Sequence, residues 1–559
     1  FSGSSQVRYR GGTVDRSRLK HWPSSHRIST REFVPAQIFG IGAGGIAMAS
    51  GLDWFWGLAI GCVVAGSMLL HVGGWSVMSW IVRYFRYLHR KDVDRSTIVS
   101  FHTPSEQSIG LRVDGSSLVA VVEIAPPRDY LTRIGRHSFD ASHLLPTAAL
   151  ANCLYQHDIS LTGIDIVSHG YRAASGTPAT EVYERLIGPL PATATRSVWL
   201  ALRFDALEGG AAVERRGGGE QGAGRAIAVA ANRVIRVLDS AGCKARILTA
   251  PEIASSTAQV TRGVAGHEVT ETWRSTPLPG VSNVGFGIEP RFITTATLTR
   301  VWAVATVGTS VTIRLRPTGQ RGEAKVSATC RFTTRNPPEN APLAGLVSLR
   351  GRQRDGLLTN LPTALAALDG ITPGVRMDGG TLDSLALPLA GCGQLIGSDR
   401  NGHGVAARIS GPGVNTVLVA GELYLAQQLI FRAIATGALV LVHTDRPQAW
   451  TALTDSMGVP DRLRVSGQGG GPEGAFNTVV FDGVEGLSPR AGVTAIYVYG
   501  HPRQWPRIDP EISIVQPFAL GDKITVETGR TRVDLTLVTI ASETSFIGRP
   551  RAGDAHQLA

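Results

Sequence analysis

Hydrophobic positions along this chain come in three patterns: two unbroken apolar runs near the start, one helical stripe behind them, and then short or alternating apolar segments to the end. The runs Phe33–Gly51 and Trp54–Val72 each hold 19 residues without Lys, Arg, Asp or Glu, and only Leu52 and Asp53 separate them. As helices, each would reach roughly 28 Å, about the thickness of a bilayer's hydrocarbon core. The pattern predicts a two-helix transmembrane hairpin over 33–72, turned so tightly that both flanks lie on the same side. Trp54, Phe55 and Trp56 fall at its tip and Trp75, Trp80 and Tyr84 behind its second run, where interfacial aromatics belong. A buried hairpin of a soluble protein fits less well, because core helices seldom stay charge-free over two membrane lengths. A cleaved signal peptide does not explain two runs behind a long basic lead.

The stripe follows at once. Between Trp75 and Arg90, Trp75, Met78, Ile81, Phe85 and Leu88 share one helical face, with Arg83, Arg86 and Arg90 off it. Residues 73–96 are therefore expected to hold an amphipathic juxtamembrane helix, either continuing the second run or lying along the inner surface. Gly40/Gly44 and Gly57/Gly61, at a spacing of four, would let helix backbones approach one another or a partner's. His71 reads as interfacial.

Charge then sets the orientation. Residues 1–96 hold twelve Lys/Arg against five Asp/Glu, all on the flanks except Asp53, so the whole-chain charge of +11 leaves only +4 for the remaining 463 residues. By the positive-inside rule both flanks, and everything after residue 96, are expected on the cytoplasmic side. The basic excess beside the apolar runs suits anionic lipid headgroups, and no basic patch interleaved with aromatics marks the rest for nucleic acid.

Beyond residue 96 the alternating segments organise into an α/β region. Gly110–Pro127 (GLRVDGSSLVAVVEIAPP) reads as two strands about an Asp114–Gly115 turn. Leu161–Arg172 (LTGIDIVSHGYR) and Val198–Asp205 (VWLALRFD) are further strands, Glu181–Ile187 a short helix, and a Gly-rich loop at 217–224 precedes a helix over 227–240. From 291 to 335 the Thr- and Val-rich pattern predicts antiparallel strands. Residues 336–388 read as a linker with one or two helices. Val414–Ala420, Glu422–Thr436 and Ala438–His443 then form a β-α-β unit, and strands are expected near 478–481, 494–499, 524–528 and 533–540. The expected divisions are a basic cytoplasmic tail (1–32), the hairpin (33–51 and 54–72), the juxtamembrane helix (73–96), a first α/β region (97–335), the linker (336–388), a second α/β region (389–545) and a loose C-terminus (546–559). The five cysteines, Cys62, Cys153, Cys243, Cys330 and Cys392, are scattered and odd in number, as in a reduced compartment. The first residue is Phe1, not Met, so residues upstream are expected.

Those strands, together with LAGCGQLIGSDRNGHGVAARI (Leu389–Ile409) and VLVAGELYLAQQLIFRAIATGALVLVHTDRP (Val417–Pro447), resemble EccE, a family of membrane components of the mycobacterial type VII (ESX) secretion system. The similarity runs in the same order from the apolar runs to about residue 450. It rests on scaffold elements, not on a catalytic signature. The resemblance implies a core-complex subunit of the bacterial inner membrane beside EccB, EccC and EccD, with a glycosyltransferase-like mixed-sheet α/β fold and no established catalytic residues.

A fold of that kind obliges a search for its chemistry. A metal-nucleotide site needs two carboxylates spaced D-x-D at a strand end. The sequence offers only Asp92–Val93–Asp94, ahead of the first strand, where it balances charge. The Gly217–Gly224 stretch lacks the Lys-Ser/Thr of a P-loop. Gly469, Gly471 and Gly474 satisfy G-x-G-x-x-G, but a strand follows where a dinucleotide site needs a helix. Glu422, opening the β-α-β helix, would repel phosphate while suiting the helix dipole. No catalytic, cofactor-binding or metal-ligating residue is therefore expected, nor a small-molecule substrate. The reading is a non-catalytic structural subunit that touches membrane lipid and other ESX subunits. The alternative is a membrane-anchored glycosyltransferase-like or nucleotide-binding enzyme.

Overall fold

Small residues bring the first two helices together. The computed structural model describes residues 30–549, except 73–74, 89–95, 105, 129–130, 137, 141–142, 175, 366–367, 369–371, 467–472, 487–489 and 530. It forms two units, Phe1–Lys91 and Asp92–Ala559. In the first, α1 (Thr30–Ala49) and α2 (Trp54–Leu69) form a hairpin about Gly51, whose φ is +93°. Ala36, Gly40, Gly44 and Ala47 line the buried side of α1. A Cβ added to Gly40 would stand 2.7 Å from the Gly61 carbonyl oxygen, and one on Gly44 2.7 Å from that of Gly57. The glycine spacing thus serves contact between the two helices themselves.

The hairpin corrects the transmembrane expectation. Among the described residues, no helix is long and apolar enough to cross a membrane. The second apolar run does not stay helical: Leu70 turns extended (φ −61°, ψ 135°) and His71–Val72 pairs with Trp75–Ser76. That leaves α2 with 16 residues, about 24 Å. The first helix takes the polar Thr30, Arg31 and Glu32 into its opening turn. The same bridge sets α3 (Val77–Leu88) apart, so the amphipathic stripe is a separate helix and not a continuation of α2. Met78 is buried, Trp80 and Ile81 are half-buried, and Tyr84, Phe85 and Leu88 are exposed. The basic tail before residue 30 lies outside the described residues.

The second unit is built on two large sheets. The first is antiparallel between every pair of its strands. Its main path runs through β1 (Thr97–His102), β2 (Ser108–Asp114), β3 (Ser117–Ile124), β4 (Gly163–Tyr171), β5 (Thr195–Asp205), β6 (Thr276–Leu278), β7 (Val281–Ile288), β8 (Gly308–Pro317) and β9 (Glu323–Thr334). Their spatial order is β6-β7-β9-β8-β4-β5-β3-β2-β1. The turn between β2 and β3 passes through Gly115 at φ +58°. On one face lies α4 (Gly219–Ser240), which buries Ala226, Ile227, Ala230, Val234 and Leu238. On the other lies α5 (Ala250–Thr261), begun by a capping box in which Thr249 and Glu252 satisfy each other's amides. Of the stretch expected to form a loop at 217–224, only Gly217 and Gly218 lie in a turn, and α4 begins at Gly219. A Cβ on Gly222 would meet the Val213 carbonyl oxygen at 2.4 Å, and one on Gly224 the Phe101 ring at 2.4 Å. Gly222 and Gly224 are small because neighbours pack tightly against the helix, whereas Gly217, Gly218 and Gly219 supply the positive φ of the turn into it.

Residues 336–388 are not a free linker. Leu346–Ser348 pairs with β7, Val375–Asp378 pairs with β9, and the wholly buried α6 (Gln353–Thr359) covers the sheet between them.

The second sheet has a parallel centre. Its strands β10 (Thr416–Ala420), β11 (Val440–Thr444), β12 (Leu463–Val465), β13 (Thr478–Asp482), β14 (Thr494–Tyr499) and β15 (Ile512–Val515) lie in the order β12-β11-β13-β14-β10-β15. The antiparallel strands β16 (Lys523–Thr528) and β17 (Arg532–Leu537) continue it. Between β10 and β11 runs α7 (Leu423–Ala435), buried from Tyr424 to Ala435, so β10 and β11 are separated in space by β14 and β13. Gln394–Ser398 and Gly404–Ala407 extend the antiparallel side, and its far edge comes from much earlier in the chain: Leu131–Ile134 pairs with Gly404–Ala407 and with Phe139–Asp140. The Pro178–Ile187 helix also serves this half, its Tyr183 hydroxyl accepting the Leu395 N–H at 2.9 Å. The expected boundary between a first and a second region is thus crossed twice. Finally α8 (Ala541–Ile547) packs its Ile547 into the same core, and residues 550–559 lie outside the described residues.

Candidate functional site

In an open parallel sheet, ligands bind beyond the carboxyl ends of the strands. Here those ends close on themselves. Leaving β10, the chain passes Gly421 and enters α7 at Glu422, and Gln516, just past β15, fills the opening. Its Oε1 accepts the Glu422 N–H at 2.8 Å, while its Nε2 donates to the Gly521 carbonyl at 2.7 Å and to Glu422 Oε1 at 3.3 Å. A Cβ on Gly421 would stand 2.7 Å from the same Oε1. The side chain occupies the place at which a phosphate would approach the helix N-terminus.

The next strand ends likewise hold one another. Asp482, at the end of β13, accepts from Thr444 Oγ1 at 2.8 Å, Trp450 Nε1 at 2.9 Å and Arg446 Nε at 3.0 Å. Burial would raise this carboxyl, but the Arg446, Trp450 and Thr444 hydrogen bonds outweigh it and hold the group below the usual carboxylate range. Beside it, the rings of His443, Phe481 and Tyr497 stack with centroids 5.5 and 5.2 Å apart.

The first sheet carries a buried polar layer under α6. Asp165 on β4 accepts from Arg203 Nε and from Arg316 at 2.6 Å each. Burial again opposes ionisation, and Arg203, Arg316 and Arg314 together overcome it, so the carboxyl lies well below its usual range. A few residues along β4, His169 Nδ1 sits 2.9 Å from Ser310 Oγ, and Arg331 reaches Ser310 Oγ at 2.6 Å and Asn283 Oδ1 at 2.7 Å. Burial, with Arg331 beside it, pushes the imidazole down to about 3, and burial pushes Arg331 down to about 9. Arg314 donates to Thr359 Oγ1 at 3.0 Å and Thr312 to Asn360 Oδ1 at 2.9 Å, so the row is closed by the end of α6.

A cleft of about 560 Å³ includes His169, Arg196, Arg246, Arg408 and Asn477 in its lining. Its arginines have work elsewhere: Arg246 bridges Glu123 and Glu252 at 2.8 and 2.6 Å, and Arg196 lies 4.1 Å over the Trp302 ring. Among the described residues, no group of three His, Cys, Asp or Glu is placed to hold a metal ion.

Of the residues singled out from sequence, Glu422 meets Gln516, Gly217 and Gly218 turn into α4, and Gly222 and Gly224 lie packed in its opening turns. Asp92–Val93–Asp94 lies outside the described residues, as do Gly469 and Gly471, while Gly474 belongs to the short turn Glu473–Ala475. Gln516, Asp482, Arg446 and Arg331 escaped sequence reasoning. The carboxylate ending the apolar strand TVVFD was the one visible signal among them.

Residues 192–288, from just before β5 to the end of β7, match the model of the family described as EccE, putative type VII ESX secretion system translocon. The ESX-1 secretion system protein EccE1 of Mycolicibacterium smegmatis is 27% identical over 431 residues, 75% of this chain and 83% of that protein. The chain is thus similar to EccE proteins along most of its length. The ESX-5 secretion system protein EccE5 of Mycobacterium tuberculosis is 27% identical over 332 residues, 55% of this chain and 80% of its own length. The EccE5 protein of Mycobacterium marinum matches over 265 residues, 46% of this chain and 64% of that EccE protein.

Proposed function

We propose that this EccE-family chain is a structural, non-catalytic subunit of the type VII (ESX) secretion membrane complex, assembling with EccB, EccC and EccD to support protein export. It is a component of the ESX type VII secretion system; the observation that carries this is similarity to EccE1 along three quarters of the chain. The geometry agrees with a scaffold: at the strand ends where a transferase would bind its nucleotide, Gln516, Glu422, Asp482 and Arg446 are engaged with one another. In this reading the chain is held at the inner membrane, with both termini on the cytoplasmic side. The exposed apolar side chains of the hairpin, Ile38, Ile41, Ile46, Leu58 and Val63 among them, meet lipid or neighbouring subunits. The basic residues on either side of the hairpin favour anionic headgroups.

Native-gel analysis of a tagged full chain after mild detergent extraction, with mass spectrometry of what comigrates, tests the assignment. Comigration with other ESX membrane subunits is expected. Migration free of all of them overturns it, and binding of sugar nucleotides to the purified chain would turn attention to a transferase.

A further inference from the structure

Strand β1 forms one edge of the first sheet. It pairs along its whole length with β2, from Thr97 opposite Val113 to His102 opposite Ser108, and among the described residues no strand lies on its outer side. The hydrogen bonds nearby fix which backbone groups face outward. Thr103 N–H donates inward to the Gln107 carbonyl at 3.0 Å, whereas Gly110, opposite Ser100, donates away from β1 to the Leu248 carbonyl at 2.8 Å. Antiparallel ladders alternate, so Thr97, Val99 and Phe101 bond to β2 while Ile98, Ser100 and His102 turn their N–H and C=O groups outward.

Such an edge is normally guarded by a charge, a proline or a bulge. TIVSFH has no Lys, Arg, Asp, Glu or Pro, and its register with β2 is unbroken. Ile98 and Val99 are 40% and 41% exposed on opposite faces of the strand. An added strand would therefore gain backbone hydrogen bonds and apolar contact above and below the sheet.

We propose that this edge pairs with the same edge of a second copy of the chain, in antiparallel register about a two-fold axis through Ser100. The strand's own pattern selects that occupant. Among the registers that join outward-facing groups to one another, the one centred on Ser100 makes the most hydrogen bonds. Ser100 then exchanges both hydrogen bonds with Ser100 of the other copy, and Ile98 does so with its His102, about six bonds in all. Val99 falls opposite Phe101 twice, at the close-packed non-hydrogen-bonded positions where apolar cross-strand pairs stabilise most. Nothing charged meets across the axis. The register centred on Val99 sets Thr97 against Phe101 and joins outward-facing groups only between Ile98 and Ser100, about four bonds in all.

Site-specific crosslinking of the full chain in detergent tests the contact, in a Cys62→Ser background that removes the one exposed thiol. In a hydrogen-bonded pair the Cα atoms are about 5.5 Å apart, within disulfide range, so Ser100→Cys should crosslink to itself under mild oxidant. His102→Cys stands about 13 Å from its own copy and should not, while an Ile98→Cys chain mixed with a His102→Cys chain should. The expected contrast is about ten-fold or more between Ser100→Cys and His102→Cys. Ser100→Pro removes an outward N–H without touching a bond to β2, and should reduce the dimer seen by light scattering. Ser100→Lys checks the same outcome without a proline. Absence of the Ser100→Cys crosslink, or equal crosslinking at His102→Cys, overturns the proposal, as does a dimer unaffected by both substitutions at Ser100. These readouts are independent of whether other ESX subunits comigrate.

Discussion

Arg432 on α7 and Glu543 on α8 meet at 2.6 Å with both side chains 1% exposed. The guanidinium also donates to the Leu395 and Ile396 carbonyls at 2.9 and 3.2 Å, and Gln428 Nε2 reaches the carboxylate at 3.1 Å. The pair thus fastens the last helix to the second sheet. Removing one partner leaves a buried charge uncompensated, which costs about 3–5 kcal/mol. Glu543→Ala should lower the urea midpoint of unfolding sharply. Arg432→Met combined with Glu543→Leu should recover part of the loss, whereas equal midpoints for Glu543→Ala and the parent would show that the pair does not anchor α8.

The α1–α2 contact discriminates among glycines. Gly40 and Gly44 have the carbonyls of Gly61 and Gly57 where a side chain would go, while a Cβ on Gly42 or Gly45 would meet nothing within 4 Å. Gly40→Leu with Gly44→Leu should force the helices apart, reduce crosslinking between cysteines placed on α1 and α2, and weaken recovery with partner subunits. Gly42→Leu with Gly45→Leu is expected to leave both readouts unchanged. Identical behaviour of the two pairs would remove the glycines as the contact.

His169 gives the fold a pH dependence of fixed sign. Its folded value of about 3 lies below the roughly 6.5 of an unfolded histidine, so its contribution to stability is complete above pH 6.5 and is lost as pH falls from there toward 3. Over that window this one residue can remove up to about 1.4 kcal/mol per pH unit. Urea unfolding at pH 7.5 and pH 5 should show a smaller drop for His169→Gln than for the parent chain. Parallel drops would mean that the imidazole accepts a proton in the folded state.

Thiol accessibility separates the cysteines. Cys62 is exposed, whereas Cys153, Cys243, Cys330 and Cys392 are buried, and burial pushes Cys153 up to about 11. A maleimide should modify one thiol per native chain, lost in Cys62→Ser, and five after denaturation. Rapid native labelling of a second thiol would contradict the packing of these cores.

Local signals in the sequence located the elements well wherever period and turn chemistry agreed. The Asp114–Gly115 turn, the solid apolar β10 and the amphipathic stripe of α3 are all where patterning puts them, within a few residues. Two features misled. The second apolar run predicts one continuous helix, yet the backbone turns extended at Leu70, which hydropathy does not register. Glycines at 217–224 suggest one loop, but only Gly217 and Gly218 turn, because composition records the missing side chain of Gly224 and not the Phe101 ring that requires its absence. The self-engaged strand ends were beyond reach for a different reason: Gln516 lies 94 positions from Glu422, and only the parallel pairing of β10 with β15 brings them together. The buried Arg331 looks in sequence like any exposed arginine of a strand.

The hairpin of Leu131–Ile134 and Phe139–Asp140 completes the far edge of a sheet whose neighbouring residues, Gly404–Ala407, are made much later. During synthesis, from one end to the other, that early segment must wait for its later partner, because the second sheet draws two of its strands from the earlier half of the chain. Folding of this unit is therefore a late, long-range event, slower than its helices alone would allow and exposed meanwhile to wrong pairings. Cutting the chain between its two sheets would leave the later half without its outermost strands, so a secretion apparatus that uses this subunit must receive it whole.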